Sequence, residues 1–237
     1  MIQTEGIFVG GSAISAPIIG EDFNWTGGDG TYQVLDDGGG NWRIKFLSSG
    51  TFTPLKNMVI DAFLVGGGGG SGSSYCGAGG AGYTTTVRSV VLTANTAYSI
   101  VVGAAGTNGN PSSAGGETTA FTASAAGGKN TSNGTSSSKR PGGAGGSGGA
   151  GYVSPVATTT GGTDGGDGTS SATTGGKGQG TTTREFGEAD GTLDASGGGS
   201  NLTATVSNSG NGGRNGITSI EPADGIVVIR QHKEVAA

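Results

Sequence analysis

Hydrophobic and polar residues alternate near the start of the chain in a way that predicts a β-strand. Trp42, Ile44 and Phe46 are separated by two basic residues. Successive side chains on a strand point to opposite faces, so this stretch predicts one buried face and one solvated face. A turn signal follows at residues 48–50, and a return strand is expected to begin at residues 51–53.

The most apolar run, MVIDAFLVG at residues 58–66, is continuous rather than alternating. Such a run predicts a strand that is covered on both faces. Stretches rich in β-branched and aromatic residues predict further strands at 31–40, on either side of 93–96, at 117–123 and at 225–231. No stretch has the hydrophobic period of an amphipathic helix. The fold class is therefore predicted to be all-β, with essentially no α-helix.

Glycine dominates the middle of the chain and suggests a second kind of structure. In residues 142–151, GGAGGSGGAG, the residues Ala144, Ser147 and Ala150 recur every three positions. Polyproline II helices have three residues per turn and a rise of about 3.1 Å, so ten residues would form one straight helix of roughly 31 Å. Its buried amides would need partners. Other glycine-rich runs could supply them: 66–72, 77–82, 161–168, 175–180, 197–199 and 210–216.

These runs predict a bundle of glycine-rich polyproline II helices that is inserted into one β module. A set of independent flexible linkers is the alternative reading of the same composition. Collagen is excluded, because the chain has only 6 prolines and its 55 glycines do not fall at every third position.

Charge and composition narrow the classes of function. Charged residues make up 12% of the chain and the net charge is −5, which argues against a nucleic-acid partner because such proteins usually carry a basic face. No run of about 18 apolar residues is present, so no membrane insertion is expected. Residues 1–23 do not resemble a signal peptide. A protein that acts outside cells but lacks an export signal is expected to be released by cell lysis.

Candidate chemical motifs are weak. Gly67, Gly69 and Gly72 match the dinucleotide-binding pattern, but no helix-forming sequence follows them, as that motif requires. His232 is the single histidine, so a histidine-based triad or a multi-histidine metal site cannot form within one chain. Cys76 is expected to be a buried thiol. The sequence thus predicts no enzyme activity, no cofactor and no metal.

Five stretches between residues 41 and 233 resemble, in order and spacing, the glycine-rich domain of phage and prophage tail proteins. The stretches are MVIDAFLVGGGGGSG, AGGAGYTTTV, AYSIVVGAAG, GTTTREFGEADGTLDASGGG and ADGIVVIR. The resemblance implies a small, jelly-roll-like β-sandwich with inserted polyglycine II helices. It also implies a virion protein, such as a tail fibre or tail-tip adhesin, that is extracellular after host lysis.

Some adhesins that this chain resembles bind a host receptor through loops on a rigid glycine-rich scaffold. Here the corresponding loops are expected at 107–113, 130–140 and 152–160, facing a surface polysaccharide or an outer protein of the host. The residues expected to bind are Asn108, Asn110, Asn133, Lys139, Arg140 and Tyr152. Aromatic side chains bury large areas, and three are expected to plug the ends of glycine helices: Tyr75, Tyr83 and Phe186.

Residues 1–40 carry no motif of that family, and their scattered apolar side chains suggest no core. They are predicted to be an attachment segment that joins a domain at 41–237 to other tail proteins. Fibre proteins are often trimers, so a homotrimer is a further expectation, although the sequence has no coiled-coil heptads. The alternatives are a purely structural virion component, such as a fibre knob or head decoration, and a cellular surface or ice-binding protein.

Overall fold

The fold was obtained as a computed structural model that describes residues 17–134, 140–152, 159–169, 175–199, 205–214 and 220–231. Regular structure in these residues consists of ten β-strands and one 3₁₀ turn at Glu185–Gly187. The strands form two antiparallel sheets of five strands each. The all-β prediction is confirmed for the described part of the chain.

Each sheet combines strands from distant parts of the sequence. The first sheet has the order β1 (Phe23–Trp25), β4 (Gly50–Pro54), β7 (Tyr98–Val101), β8 (Thr118–Ala120), β9 (Ala123–Ala125). The second has the order β2 (Tyr32–Gly38), β3 (Asn41–Phe46), β10 (Ile226–Gln231), β5 (Met58–Val65), β6 (Thr84–Leu92). Because β10 pairs with both β3 and β5, the strands on either side of the glycine-rich middle belong to one β module.

The two sheets share one hydrophobic core. Trp42, Ile44 and Phe46 of β3 are all buried there, as their alternation predicts. Phe52 of β4 comes from the other sheet and contacts Phe46 edge-on, with ring centroids 5.5 Å apart. Aromatic pairs of this kind add to the free energy gained from burial of their surface.

The second sheet is also covered on its other face. Phe63, Val65 and Val228 form a smaller core there with Phe186 from a distant segment. The prediction that the run at 58–66 is covered on both faces is thus confirmed. The solvated face expected for β3 is wrong, because segment 181–195 packs over it and pairs with its basic side chains.

Three local predictions need correction. Residues 17–40 do not lack a core, because Phe23 and Trp25 are buried between the sheets and β2 pairs with β3. The return strand after β3 is β4, which joins the opposite sheet. The stretch 117–123 holds β8 and the start of β9, joined by a tight turn at residues 121 and 122, both with positive φ.

The glycine-rich segments leave the sheets and return to them. Segment 66–83 connects β5 to β6, and segment 102–117 connects β7 to β8. A longer excursion between β9 and β10 holds the remaining glycine-rich runs. The first two excursions leave the sheets and return to them, so each must reverse its direction between its ends.

Candidate binding site at the turns of the glycine-rich region

Backbone hydrogen bonds join the glycine-rich segments to one another. In segment 77–83, successive backbone amides donate to three different neighbouring segments in rotation, so every third amide bonds to the same neighbour. Donors 78 and 81 bond to 150 and 147, donors 79 and 82 to 213 and 210, and donors 80 and 83 to 129 and 126. This segment therefore satisfies its buried amides through neighbours on three sides, as buried backbone groups require.

Glycine is needed because the segments approach so closely. A Cβ atom added at Gly79 would overlap the backbone carbonyl of Gly69, and one added at Gly82 would overlap that of Gly66. The obstructing atoms are backbone, so they cannot swing aside as a flexible side chain could. The region is therefore held by interlocked backbone rather than by side-chain packing, and the reading as independent flexible linkers is wrong for these segments.

The run at 142–151 is not one straight helix. The chain bends at residues 145–147, and the two halves then pack side by side. The amide of Gly149 donates to the carbonyl of Gly143 at 2.8 Å, and that of Tyr152 donates to Arg140 at 3.1 Å. Glycine allows this reversal because it carries no side chain that would have to be accommodated. The bend brings Tyr152 back beside Arg140.

Several turning points meet at one place, which we call the loop end: residues 72–76, 108–113 and 130–134, with Arg140 and Tyr152. The Ser112 hydroxyl joins turn 108–113 to turn 130–134 by donating to the carbonyl of Thr131 at 2.5 Å. The Asn133 side-chain oxygen joins turn 130–134 to turn 72–76 by accepting the amide of Ser73 at 2.6 Å. The three loops predicted to bind therefore meet through residues 108–113, 130–134, Arg140 and Tyr152.

Two of the predicted binding residues hold the loop end together. The Asn133 side-chain oxygen accepts the amides of Ser73 and Ser74 at 2.6 and 3.3 Å, and its nitrogen donates to the Ser73 hydroxyl at 3.0 Å. The Asn108 oxygen accepts the amide of Ser71 at 2.7 Å, and its nitrogen donates to the carbonyl of Ile220 at 2.9 Å. Both side chains therefore make structural contacts to loop backbone.

The other predicted residues differ in position. Arg140 and Asn110 are exposed, and Asn110 precedes Pro111 through a cis peptide bond. Tyr152 is half-buried and contacts Tyr75 edge-on, with ring centroids 5.7 Å apart and planes at 71°. Lys139 lies outside the described residues.

The predicted aromatic plugs have three different surroundings. Phe186 is buried, with its ring 6.0 Å from that of Phe63 and under the guanidinium of Arg230 at 4.1 Å. Tyr83 is half-buried where segment 77–83 enters β6. Tyr75 is 42% exposed, so a buried plug at that position is wrong. Its exposure makes it part of the surface of the loop end.

Cys76 closes the loop that carries Tyr75. Its thiol is half-buried and donates to the carbonyl of Gly72 at 2.8 Å. Burial raises the pKa of the Cys76 thiol, and the contact with Ser71 opposes that shift only in part. A thiol with a raised pKa is a poor nucleophile. A structural role therefore fits Cys76 better than a chemical one.

A second polar cluster lies where segment 181–195 covers the sheet. Glu185 is buried and accepts from Arg43 Nη1 and Lys45 Nζ, each at 2.5 Å. Burial, with the nearby charge of Glu185, raises the pKa of Asp194 to about 7. Buried ion pairs often fix a unique arrangement more than they add stability. We therefore interpret this cluster as the attachment of segment 181–195 to the second sheet.

A cavity of about 290 Å³ borders that cluster and is lined mainly by charged and polar side chains. Its two arginines are already paired, Arg43 with Glu185 and Arg230 with Glu188 at 2.7 Å. In the described ranges, no group of three or more His, Cys, Asp or Glu residues could hold a metal ion. The loop end, with its exposed aromatic ring and exposed loops, is therefore the better candidate for binding.

Sequence reasoning missed two contributors to the loop end. Ser73 and Ser74 are both exposed and directly precede Tyr75 in the chain. The signal available was the turn-forming stretch between two glycine-rich runs, which places its residues at a turning point.

Among the described residues, no helix has the length and apolar character needed to cross a membrane.

A family model described as a glycine-rich domain matches residues 47–230. The matched range starts just after β3 and includes nearly all of β10, so it spans the glycine-rich segments and most of the strands that carry them. A comparison with curated proteins gave no match.

Proposed function

We propose that this chain, which belongs to the glycine-rich domain family, is a virion protein of a phage or prophage that binds a host cell-surface receptor. The proposed location is the tail fibre or tail tip, with release to the exterior on host lysis. The proposal gives the protein no catalytic role, cofactor or metal, and it assigns neither nucleic acid nor membrane insertion to its function.

The observation that carries this proposal is the composition and support of the loop end. Its turns are built mainly from Ser, Asn, Gly and Thr, with Tyr75 exposed among them. Binding loops of recognition proteins favour this mixture, because Tyr gives a rigid contact area while Ser, Gly and Asn give adaptable hydrogen bonds. Loops that stand on a rigid scaffold are the usual place for binding residues.

The proposal includes a finer description of the scaffold. We assign the glycine-rich segments to polyglycine II helices and the paired sheets to a β-sandwich of jelly-roll type. The three-residue period of the donors in segment 77–83 supports the first assignment, because such helices have three residues per turn. The core shared by both sheets supports the second.

A purely structural virion component is the second candidate. It is favoured by the side chains of Asn108 and Asn133, whose oxygens and nitrogens bond to the protein's own loops. Under this alternative the loops of the loop end would bind no receptor. Attachment to other tail proteins through residues 1–40, of which Phe23–Trp25 and Tyr32–Gly38 also pair within the sheets, is proposed under either candidate, with assembly as a homotrimer.

Competition for phage adsorption tests the receptor-binding function. Purified full-length protein is added to cells of the host strain before the phage, and free phage is counted after adsorption. A receptor-binding protein should lower adsorption in a dose-dependent way, whereas heat-unfolded protein should not. Unchanged adsorption at saturating protein, combined with no binding of labelled protein to the cells, would favour the structural alternative.

A further inference from the structure

We infer that the loop end binds a saccharide, with a sugar ring placed against the Tyr75–Tyr152 pair. This inference rests on the proposed receptor-binding function and narrows the receptor to a surface polysaccharide. It assigns Tyr75 as the contact surface and the hydroxyls of Ser73 and Ser74 as neighbouring polar groups.

The contact between the two tyrosine rings leaves part of Tyr75 accessible. Their centroids are 5.7 Å apart and their planes meet at 71°, so the edge of one ring points at the face of the other. In such an arrangement Tyr152 covers at most one face of the Tyr75 ring. Tyr75 is 42% exposed. Part of the Tyr75 side chain is therefore accessible to a ligand.

The loop that carries Tyr75 is fixed before any ligand arrives. Asn133 accepts the amides of Ser73 and Ser74, and the amide of Gly134 donates to the carbonyl of Ser74 at 3.0 Å. Cys76 ties the other side of the loop to Gly72. Ordering a flexible loop on binding costs free energy, and a loop that is already ordered avoids that cost.

The surroundings favour a sugar over a protein partner. The large hydrophobic side chains exposed among the described residues lie mostly on or near the sheets, and Tyr75 is the one of them at the loop end. A stable protein interface buries about 800 Å² on each partner around an apolar centre. One aromatic pair among hydroxyls and amides is too small for that. A pyranose ring, with an apolar C–H face and a rim of hydroxyls, matches it in size and polarity.

Variants of Tyr75 test the contact directly. The probe is the polysaccharide fraction purified from a strain to which the labelled full-length protein adsorbs. Tyr75→Ala should weaken binding about tenfold or more, the loss expected for a central aromatic contact. Tyr75→Phe keeps the ring and should bind within about threefold of the parent, since stacking uses the ring face.

Two further variants separate binding from folding. Tyr75 has a φ of 48°, a conformation that Asn tolerates, so Tyr75→Asn removes the ring while suiting the backbone. It should lose binding as Tyr75→Ala does, with an unchanged melting temperature. Val91→Ala removes a side chain that is 71% exposed on β6 and should bind as the parent does. Parent-like binding by Tyr75→Ala and Tyr75→Asn would overturn the inference.

Treatment of the cells distinguishes the two levels of the proposal. Periodate, which cleaves vicinal diols of sugars, should abolish adsorption of the labelled protein, and proteinase K should leave it unchanged. Loss after proteinase K but not after periodate would overturn the saccharide inference while the receptor-binding function stands. If the protein adsorbs to no strain that the phage infects, the receptor-binding function and the saccharide inference are both wrong.

Discussion

Replacing Gly79 by alanine should destabilise the protein far more than a glycine-to-alanine change usually does. The added Cβ would overlap the carbonyl oxygen of Gly69, with its carbonyl carbon at 2.6 Å and the oxygen of Gly70 at 3.0 Å. All three are backbone atoms. Relief therefore requires segment 77–83 to move away from segment 66–72.

That movement would strain three hydrogen bonds. The amide of Gly69 donates across the two segments to the carbonyl of Gly80 at 2.8 Å, that of Gly79 donates to Gly213 at 2.9 Å, and that of Gly198 donates to Gly79 at 3.0 Å. Each is worth about 1 kcal/mol net, and more if a buried group is left unpaired. Alanine restricts the unfolded chain and returns about 0.4–1 kcal/mol. The expected loss is about 2–4 kcal/mol in the free energy of unfolding.

Thermal unfolding followed by calorimetry is the assay. For a chain of this size each kcal/mol shifts the melting temperature by about 2–4 °C, so Gly79→Ala should melt roughly 5–15 °C lower. Gly166→Ala is the matched control, because its Cβ would meet only the oxygen of Thr163 at 3.1 Å. It should change the free energy of unfolding by about 0.5 kcal/mol or less. Equal melting temperatures for the two variants would refute the close packing of backbones.

Three further substitutions test the attachment of segment 181–195 by thermal or urea unfolding. Phe186→Ala should cost about 3–5 kcal/mol, because a buried ring leaves a cavity; an unchanged melting temperature would remove Phe186 from the core. Glu185→Gln should cost about 1.5–3 kcal/mol, because Lys45 loses its carboxylate partner while Arg43 keeps Asp37 at 2.8 Å; a neutral effect would show that the Glu185 ion pairs are dispensable. Asp194→Asn should raise the free energy of unfolding more at pH 8 than at pH 4, and the two effects should differ by at most about 4 kcal/mol. Equal effects of the substitution at both pH values would contradict the raised pKa.

The sign of the Asp194 effect follows from its pKa. The folded-state value is raised to about 7 from 3.8, so the fold disfavours the ionised carboxyl. Below pH 3.8 the group is neutral in both states and costs nothing. As the pH rises from about 4 to 7, the unfolded chain releases the proton first, so stability falls over that window. Asparagine carries no charge and removes this loss.

The β framework was predictable from sequence because side-chain patterns specify it. Alternation identified β3, and the continuous run at 58–66 identified a strand covered on both faces. β1 escaped notice because Phe23 and Trp25 stand in a short stretch rich in glycine and acidic residues. The partner of β4 was also missed, because a strand's pattern does not say which sheet it joins.

The glycine-rich region was predictable in kind but not in path. The recurrence of residues 144, 147 and 150 suggested one straight helix, yet the chain reverses at residues 145–147. With almost no side chains, the segment carries no hydrophobic pattern that could report the bend. Its course is decided instead by which carbonyl each amide meets, and those contacts join residues far apart in sequence.

The loop end was partly predictable for a related reason. Turn-forming residues between glycine-rich runs indicated where loops would lie, and the structure brings parts of those loops together. The bonds of Asn108 and Asn133 to their neighbours could not be foreseen, because the partners lie 37 and 60 residues away in sequence. The contact between Tyr75 and Tyr152 depends on the same long-range folding.

The most direct test of the account is immunogold electron microscopy of particles from a lysate of the source strain or its phage. Antibody raised against the purified full-length protein is applied to intact particles, with particles lacking this protein as the control. Gold is expected at the tail tip or at the distal ends of the tail fibres. Gold on the head or along a shaft, or on cell envelopes without particles, would contradict it.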